Sequence, residues 1–394
     1  MESHGLEVSE IFAAAPRDAN AGVVYLRSEV MRMHMHGWLR TGALAGLIVT
    51  LAIGGATEAV GQDKPFAGVN LRVGTTGGPW LEAQKALLVP RMEAMGATVT
   101  FVAGSPQINM AKLIAARGGP PPMDTMEISD GTVRDIVEAG FIQSIDPALI
   151  PNVKYLAKGQ YNNQMVAIWK TQESICYNEE KYKELGIPPP KTYADLGNPK
   201  LQNRIQLPDI VSGGGLAAVA GFSYANGGDL QNIKPGLDAI VRLKALKFWK
   251  TGTEVLNQLK SNDIYAAAIH SGWCVRAAKA GMPVTTAHPV INANTIGVIK
   301  QGWIGIIKGI DKRTALAAHT YINLFIDSDF QREFALTQGV VPENVNALMD
   351  LAKDPVLAKQ LILDQKGIDK MLHVDYSNVN VSDWYDQWSR TVAK

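Results

Sequence analysis

Several short stretches place small polar residues where a strand gives way to a helix, and each has the chemistry to hold a charged group. Thr75-Thr76-Gly77-Gly78 follows the strand-like Leu71-Arg72-Val73-Gly74. Free backbone N–H groups at a helix start, with two hydroxyls beside them, suit an anion or a carboxylate. An ordinary strand-to-helix turn has the same composition. No Gly-Lys-Ser/Thr follows, which excludes a nucleotide P-loop. Ser212-Gly213-Gly214-Gly215 is a second stretch, whose glycines let backbone approach a ligand closely at an entropic cost. In His270-Ser271-Gly272-Trp273, Ser271 and Trp273 are candidate contacts, and Arg276 one turn later is either a salt-bridge donor or a solvent-facing cation. Trp80 offers an indole that can stack on a ligand or pack in a core, and Trp169 is a hinge or cleft candidate. Glu127, Ser129 and Asp130 carry the opposite charge preference and would suit an amine or hydroxyl. Ser129 and Asp130 equally suit capping of a helix beginning near Thr132.

Other chemistries lack their residues. His270, His288, His319 and His373 are too far apart in sequence for metal-ligand spacing, and no serine sits in a nucleophile elbow. Neither a metal nor a cofactor is expected. Cys176 and Cys274 are the only cysteines outside or inside any motif, so neither a disulfide-dense scaffold nor a four-cysteine zinc site can form. Lys+Arg 38 against Asp+Glu 37 leaves a net charge of +1, which offers no basic field for nucleic acid. A hydrophobic content of 46% can bury a real core, so a disordered chain is excluded.

The elements that must position these residues alternate. Leu71–Gly74, Thr98–Val102 and Met123–Ile128 read as strands, each followed by a helical stretch. Such alternation predicts a largely parallel sheet covered by helices, with ligands beyond the strands' carboxyl ends. Gln164–Trp169 and Glu173–Asn178 read as extended segments around a polar kink. A second α/β set follows: strand Arg204–Leu207, the glycine loop, a helix over Leu237–Trp249, and strand Ala266–Ile269. Trp249, Trp384 and Trp388 fit helix faces and are expected in the core. Two similar α/β units predict two lobes with a cleft between them.

The N-terminal segment reads as an address. Thr41 to Thr57 carries no charge, Arg32 and Arg40 precede it, and Ala59-Val60-Gly61 ends it with small residues. That is the pattern of a secretory signal peptide over 31–61, and its glycine-containing run is short for a spanning helix. Residues 1–30 are too acidic for a signal peptide's basic start, and Met31, Met33 or Met35 is a plausible true start. Removing 1–61 leaves a mature chain with a small positive excess.

Beyond these readings, the chain resembles the extracellular solute-binding proteins of ABC importers, in the cluster that binds polyamines, iron(III), thiamine and phosphonates. The resemblance is carried by Ser174-Ile175-Cys176-Tyr177-Asn178, by the run from Gly186-Ile187-Pro188 through Pro199-Lys200-Leu201 to Pro208-Asp209, and by Ser328–Ala335 with Gly339–Asn344. It implies an α/β, two-lobed type II periplasmic-binding-protein fold with a hinge and an inter-lobe cleft. The expected lobes are 62–170 plus 291–338 and 171–290 plus 339–394. It further implies a monomer in the periplasm that captures a small-molecule ligand, closes on it, and delivers it to an ABC permease without chemistry. A sensor or chemotaxis partner would read the same closed state.

Two departures bear on the ligand. The polyamine binders carry carboxylates in the region where this chain has Ile210-Val211-Ser212-Gly213, ahead of Gly214, and an acidic residue where it has Asn292-Ala293-Asn294-Thr295. The iron binders' paired tyrosines are absent from the same region. The expected ligand is therefore a small polar organic anion or zwitterion, with a polyamine-type cation as the alternative. Thiaminase, which is similar to these proteins, uses a cleft cysteine as nucleophile, so an enzyme is the other alternative. Cys176 and Cys274 both fall in the second lobe and can pair or remain lone thiols. A disulfide closing that loop would contribute about 4–5 kcal/mol in the chain-entropy picture.

Overall fold

The computed structural model describes residues 64–393. The expected leader lies outside the described residues. The first α/β set runs β1 (Asn70–Thr75), α1 (Pro79–Ala94), β2 (Thr98–Ala103), α2 (Pro106–Ala115), β3 (Thr125–Ser129) and α3 (Asp130–Glu138). The long β4 (Met165–Asn178) then crosses to a second set. That set comprises α4 (Glu179–Glu184), β5 (Ile205–Pro208), α5 (Gly215–Ala225), α6 (Lys234–Arg242), β6 (Lys247–Trp249), α7 (Gly252–Lys260), β7 (Ala266–His270) and α8 (Ser271–Lys279). After β8 (Val284–Ala287) and a hairpin of β9 (Val290–Asn292) and β10 (Thr295–Ile296), β11 (Val298–Ile306) returns. The chain finishes with α9 (Lys312–Phe325), α10 (Ser328–Gln338), α11 (Val345–Leu351), α12 (Pro355–Gln360), α13 (Gln365–Ile368), β12 (Leu372–His373) and α14 (Val381–Thr391).

One sheet has the order β2-β1-β3-β11-β4-β7-β5-β6, with β12 paired to β11 and β8 to β4. Within each half the order is the same: β2-β1-β3 are parallel beside antiparallel β11, and β6-β5-β7 are parallel beside antiparallel β4. Strands β4 and β11 pair with each other from Glu173↔Val298 to Met165↔Gly305 and so join the halves. This is the two-lobed arrangement with two crossing strands. Both sets of parallel strands point their carboxyl ends at the groove between the lobes, the side where such sheets take ligands.

The cores follow the same division. Leu71, Val73, Leu88 and Ile304 belong to one cluster, and Ile205, Leu207, Val219 and Leu237 to another. Leu351, Leu357, Ile368 and Met371 share the first cluster, whereas Trp384 and Trp388 are buried in the second. Two local expectations change. The segments around 164–178 form one unbroken strand, because every residue of β4 is buried and most of its polar side chains find partners in other segments. The helix expected over Leu237–Trp249 stops at Arg242, since Lys244 turns left-handed at φ 48°, and Lys247–Trp249 is a strand. Trp249 therefore lies at a strand's carboxyl end.

Candidate functional site

Six helix starts converge on a cleft of about 450 Å³ between the two sets. The first lobe contributes Thr76, Gly77 and Gly78 before α1, Ser105 to Gln107 at α2, and Ser129 before α3. The second contributes Gly213 before α5, Lys250 to Thr253 at α7, and Gly272 and Trp273 in α8. Trp169 and Thr171 of β4 and Lys300 of β11 line it from the crossing strands. Helix starts present unpaired N–H groups and a positive dipole end, so their convergence favours negative charge on an occupant. Pro79, the first residue of α1, has no N–H and weakens that one contribution.

On the first-lobe side, Trp80 and Trp169 meet edge to face, with centroids 5.2 Å apart at 82°. Glu127 holds this corner. Its Oε1 accepts from Thr75 Oγ1 at 2.5 Å and Gln84 Nε2 at 2.8 Å, and its Oε2 accepts from Trp80 Nε1 at 3.0 Å and Trp169 Nε1 at 3.4 Å. With four neutral donors on two oxygens, the carboxylate acts on a ligand through the indoles and through its charge. Burial raises its pKa, against the lowering effect of those bonds. Two glycines make room for tryptophans: a Cβ at Gly302 would sit 2.2 Å from the Trp169 ring, and one at Gly252 would sit 2.0 Å from the Trp273 ring.

The other pole is cationic. The Arg276 guanidinium lies 4.2 Å from the Trp273 ring centroid, and its Nη1 donates to Gln338 O at 2.6 Å. Burial pushes Arg276 down to about 10, so it stays charged at neutral pH. Lys300 Nζ donates to Gly213 O at 2.7 Å; burial lowers its pKa, while Glu173 and Asp130 act to raise it. His270 bonds Glu173 through Nδ1. Burial lowers the His270 pKa, while the neighbouring Glu173 carboxylate acts to raise it.

Among the expected contacts, Thr76, Gly77, Gly78, Trp80, Glu127, Ser129, Trp169, Gly213, Trp273 and Arg276 line the cleft. Others are placed elsewhere. Thr75 is buried behind Glu127. Asp130 neither caps α3 nor faces the cleft; its oxygens accept from Gln301 N at 2.6 Å and Trp303 Nε1 at 3.2 Å, tying α3 to β11. The cap is Ser129, paired with Thr132. Ser212 lines a narrow chamber of about 30 Å³ beside the cleft, shared with Ser129 and Lys300. A Cβ at Gly214 would meet Glu173 and His270 at 3.0 and 3.4 Å, so Gly214 packs on that pair. Ser271 is fully buried, donating to Gln172 O at 3.0 Å. Asn292 sits on the β9–β10 hairpin and accepts from Asn294 N. The structure adds His270, Lys300, Thr171 and Trp249 to the lining. Of these, Trp249 and His270 carried a readable signal, each ending a β-prone run before a glycine-containing helix start.

Cys176 and Cys274 form a disulfide between β4 and α8, with Cα atoms 5.6 Å apart. Among the described residues there is no cluster of metal-ligating side chains, and no helix is long and apolar enough to cross a membrane.

Residues 87–359 match the family model of the bacterial extracellular solute-binding proteins. The chain belongs to that family. The solute-binding fold of this chain is also similar to an ABC transporter substrate-binding protein of Bradyrhizobium japonicum USDA 110, at TM-score 0.66 and 17% identity over 82% of this chain and 99% of that one. An ABC transporter structure from Clostridium perfringens ATCC 13124 gives TM-score 0.64 and 20% identity over 82% and 99%. The binding protein AgtB of Agrobacterium tumefaciens R10, in complex with agropinic acid, gives TM-score 0.63 and 18% identity over 83% and 99%. At these identities the likeness is one of fold. No curated protein sequence matches this solute-binding protein.

Proposed function

We propose that this solute-binding protein works as a periplasmic monomer, exported by the 31–61 leader, that captures a small polar organic anion or zwitterion and passes it to an ABC permease. The observation that carries the ligand class is the pairing of opposite poles across one cleft: Glu127 behind Trp80 and Trp169, and Arg276 and Lys300 opposite helix starts. A zwitterion satisfies both poles at once, and a cleft this size takes a solute of metabolite dimensions. The same fold holds agropinic acid in the A. tumefaciens neighbour, in keeping with an acidic ligand.

The lobes we propose are 62–170 with 291–338 and 171–290 with 339–394. Crossing strand β4 supports the break near 170 and β11 a return at 298–306, a few residues after 291, while buried residues from Val340 to Met371 share core with the first lobe. Closure by bending at these strands would bury the ligand between the poles, driven by its better contacts in the closed state. We also propose that no reaction follows. The disulfide occupies both thiols, which supports binding over the thiaminase-like alternative, because neither sulfur is available as a nucleophile.

A thermal-shift screen tests the reading. Organic acids, phosphonates, amino acids, polyamines and thiamine are each titrated, and a true ligand raises Tm in step with its excess over Kd. Stabilisation by an acid, phosphonate or amino acid is the expected result. Stabilisation by spermidine or putrescine alone refutes the anionic or zwitterionic ligand.

A further inference from the structure

The hinge strand β4 carries five consecutive buried polar side chains, Lys170, Thr171, Gln172, Glu173 and Ser174. Four are satisfied within the protein. Lys170 pairs with Glu343. Gln172 donates to Ile362 O at 2.6 Å and accepts from Ile362 N at 3.0 Å. Glu173 holds His270, and the hydroxyl of Ser174 lies 2.9 Å from that of Ser271, within hydrogen-bond reach. Thr171 Oγ1 alone in this run has no partner, although the residue is only 9% exposed and lines the cleft. Buried hydroxyls left unpaired are uncommon, because each forfeits its bonds to water, so an orphan on a residue that lines a ligand cavity points to an occupant that it can turn to meet.

Directly across the strand pair, Thr171 is in register with Lys300 of β11, so both side chains stand on one face, within a few ångströms of each other at Cβ. Lys300 has three N–H donors and one acceptor, Gly213 O. No carboxylate reaches its ammonium: Glu173 is taken by His270, and Asp130 by Gln301 and Trp303. Two ammonium N–H groups and one hydroxyl are thus left without partners on neighbouring side chains that both line the cleft.

We propose that Thr171 and Lys300 form the seat for the oxyanion of the bound solute, a carboxylate or a phosphonate, placed on the hinge strands themselves. This rests on the anionic or zwitterionic reading of the cleft and locates its negative end. A ligand held there contacts both crossing strands, so binding and lobe position are coupled at the hinge.

The test compares wild type with Thr171→Val, Lys300→Gln and Arg276→Gln. Probes are succinate, 4-aminobutyrate, methylphosphonate, 2-aminoethylphosphonate and putrescine, by thermal shift and then calorimetry on whichever stabilises wild type. Thr171→Val keeps the side-chain shape and removes only the orphan hydroxyl, so its unliganded Tm equals or exceeds that of wild type, while affinity for the anionic probe falls about tenfold. Lys300→Gln weakens the same probe by at least as much, and by more than Arg276→Gln. Carboxylate and phosphonate probes separate the two oxyanion types. Unchanged affinity in both Thr171→Val and Lys300→Gln, or loss only in Arg276→Gln, overturns the seat while leaving the anionic reading intact. Stabilisation of wild type by putrescine alone, or by none of the probes, overturns that reading and the seat with it.

Discussion

Replacing Glu127 by Gln removes one buried charge and turns one acceptor oxygen into a donor. The four donors around it allow no neutral solution. If the new carbonyl faces Trp80 and Trp169, the amide N–H₂ meets Thr75 Oγ1, which can accept, and Gln84 Nε2, which cannot. Gln84 is not free to flip, because its Oε1 accepts from Tyr321 at 2.9 Å. If the carbonyl faces Gln84, two indole N–H groups meet a donor instead. Even the better arrangement takes the acceptor from one Gln84 N–H and from the Thr75 hydroxyl, so the cost is at least that of one unpaired buried donor, about 1–3 kcal/mol. For a domain of this length that lowers Tm by about 2–4 °C. Near-UV circular dichroism should change as the 82° indole corner relaxes, and a zwitterionic ligand should bind about tenfold more weakly as the negative pole is lost. Calorimetry and near-UV dichroism of the unliganded variant check the first two points. A Glu127→Gln protein with unchanged Tm and unchanged aromatic dichroism would refute the claim that this carboxylate holds the corner.

Reducing the Cys176–Cys274 disulfide, or replacing both cysteines by Ala, removes a cross-link across 98 residues, and scanning calorimetry should show stability lower by about 4–5 kcal/mol. An unchanged melting curve in reductant contradicts it. Gly302→Ala should displace Trp169 and alter tryptophan emission with little change in far-UV dichroism, since a Cβ there meets the ring at 2.2 Å. Asp130 has its pKa raised from 3.8 to about 7 by burial, opposed by the Gln301 and Trp303 bonds and by Lys300, while Glu343 adds to the rise. Between those values the folded state holds a proton the unfolded chain has lost, so this group's contribution declines as pH rises from about 4 to about 7. Tm measured across that range should fall less steeply for Asp130→Asn than for wild type; parallel curves contradict the assignment.

The features legible in the sequence were those in which backbone geometry demands a residue type. Thr76-Gly77-Gly78, Gly213 and Gly272-Trp273 could be placed because glycine and small polar residues mark a strand's end before a helix, and all reach the cleft. The boundary of α6 was hidden because Leu237, Ile240, Val241, Lys244 and Phe248 keep helical spacing through a residue whose backbone turns left-handed. Thr171 and Lys300 were illegible for another reason. They lie 129 positions apart and meet only through the antiparallel register of β4 and β11, which no local pattern encodes. Polar residues in succession on β4 resembled a kink, yet all but Thr171 are the buried partners of groups around Glu343, Ile362 and His270–Ser271. Asn292 was a candidate by resemblance alone, and on the β9–β10 hairpin it is not among the residues that line the cleft.

The central claim is that a small solute binds between two lobes and draws them together. Small-angle X-ray scattering of the mature protein, with and without the solute that most raises its Tm, measures this directly. The account predicts a smaller radius of gyration at saturation, reached along the same concentration dependence as the thermal shift. A radius that stays constant while the ligand fully stabilises the protein would contradict closure.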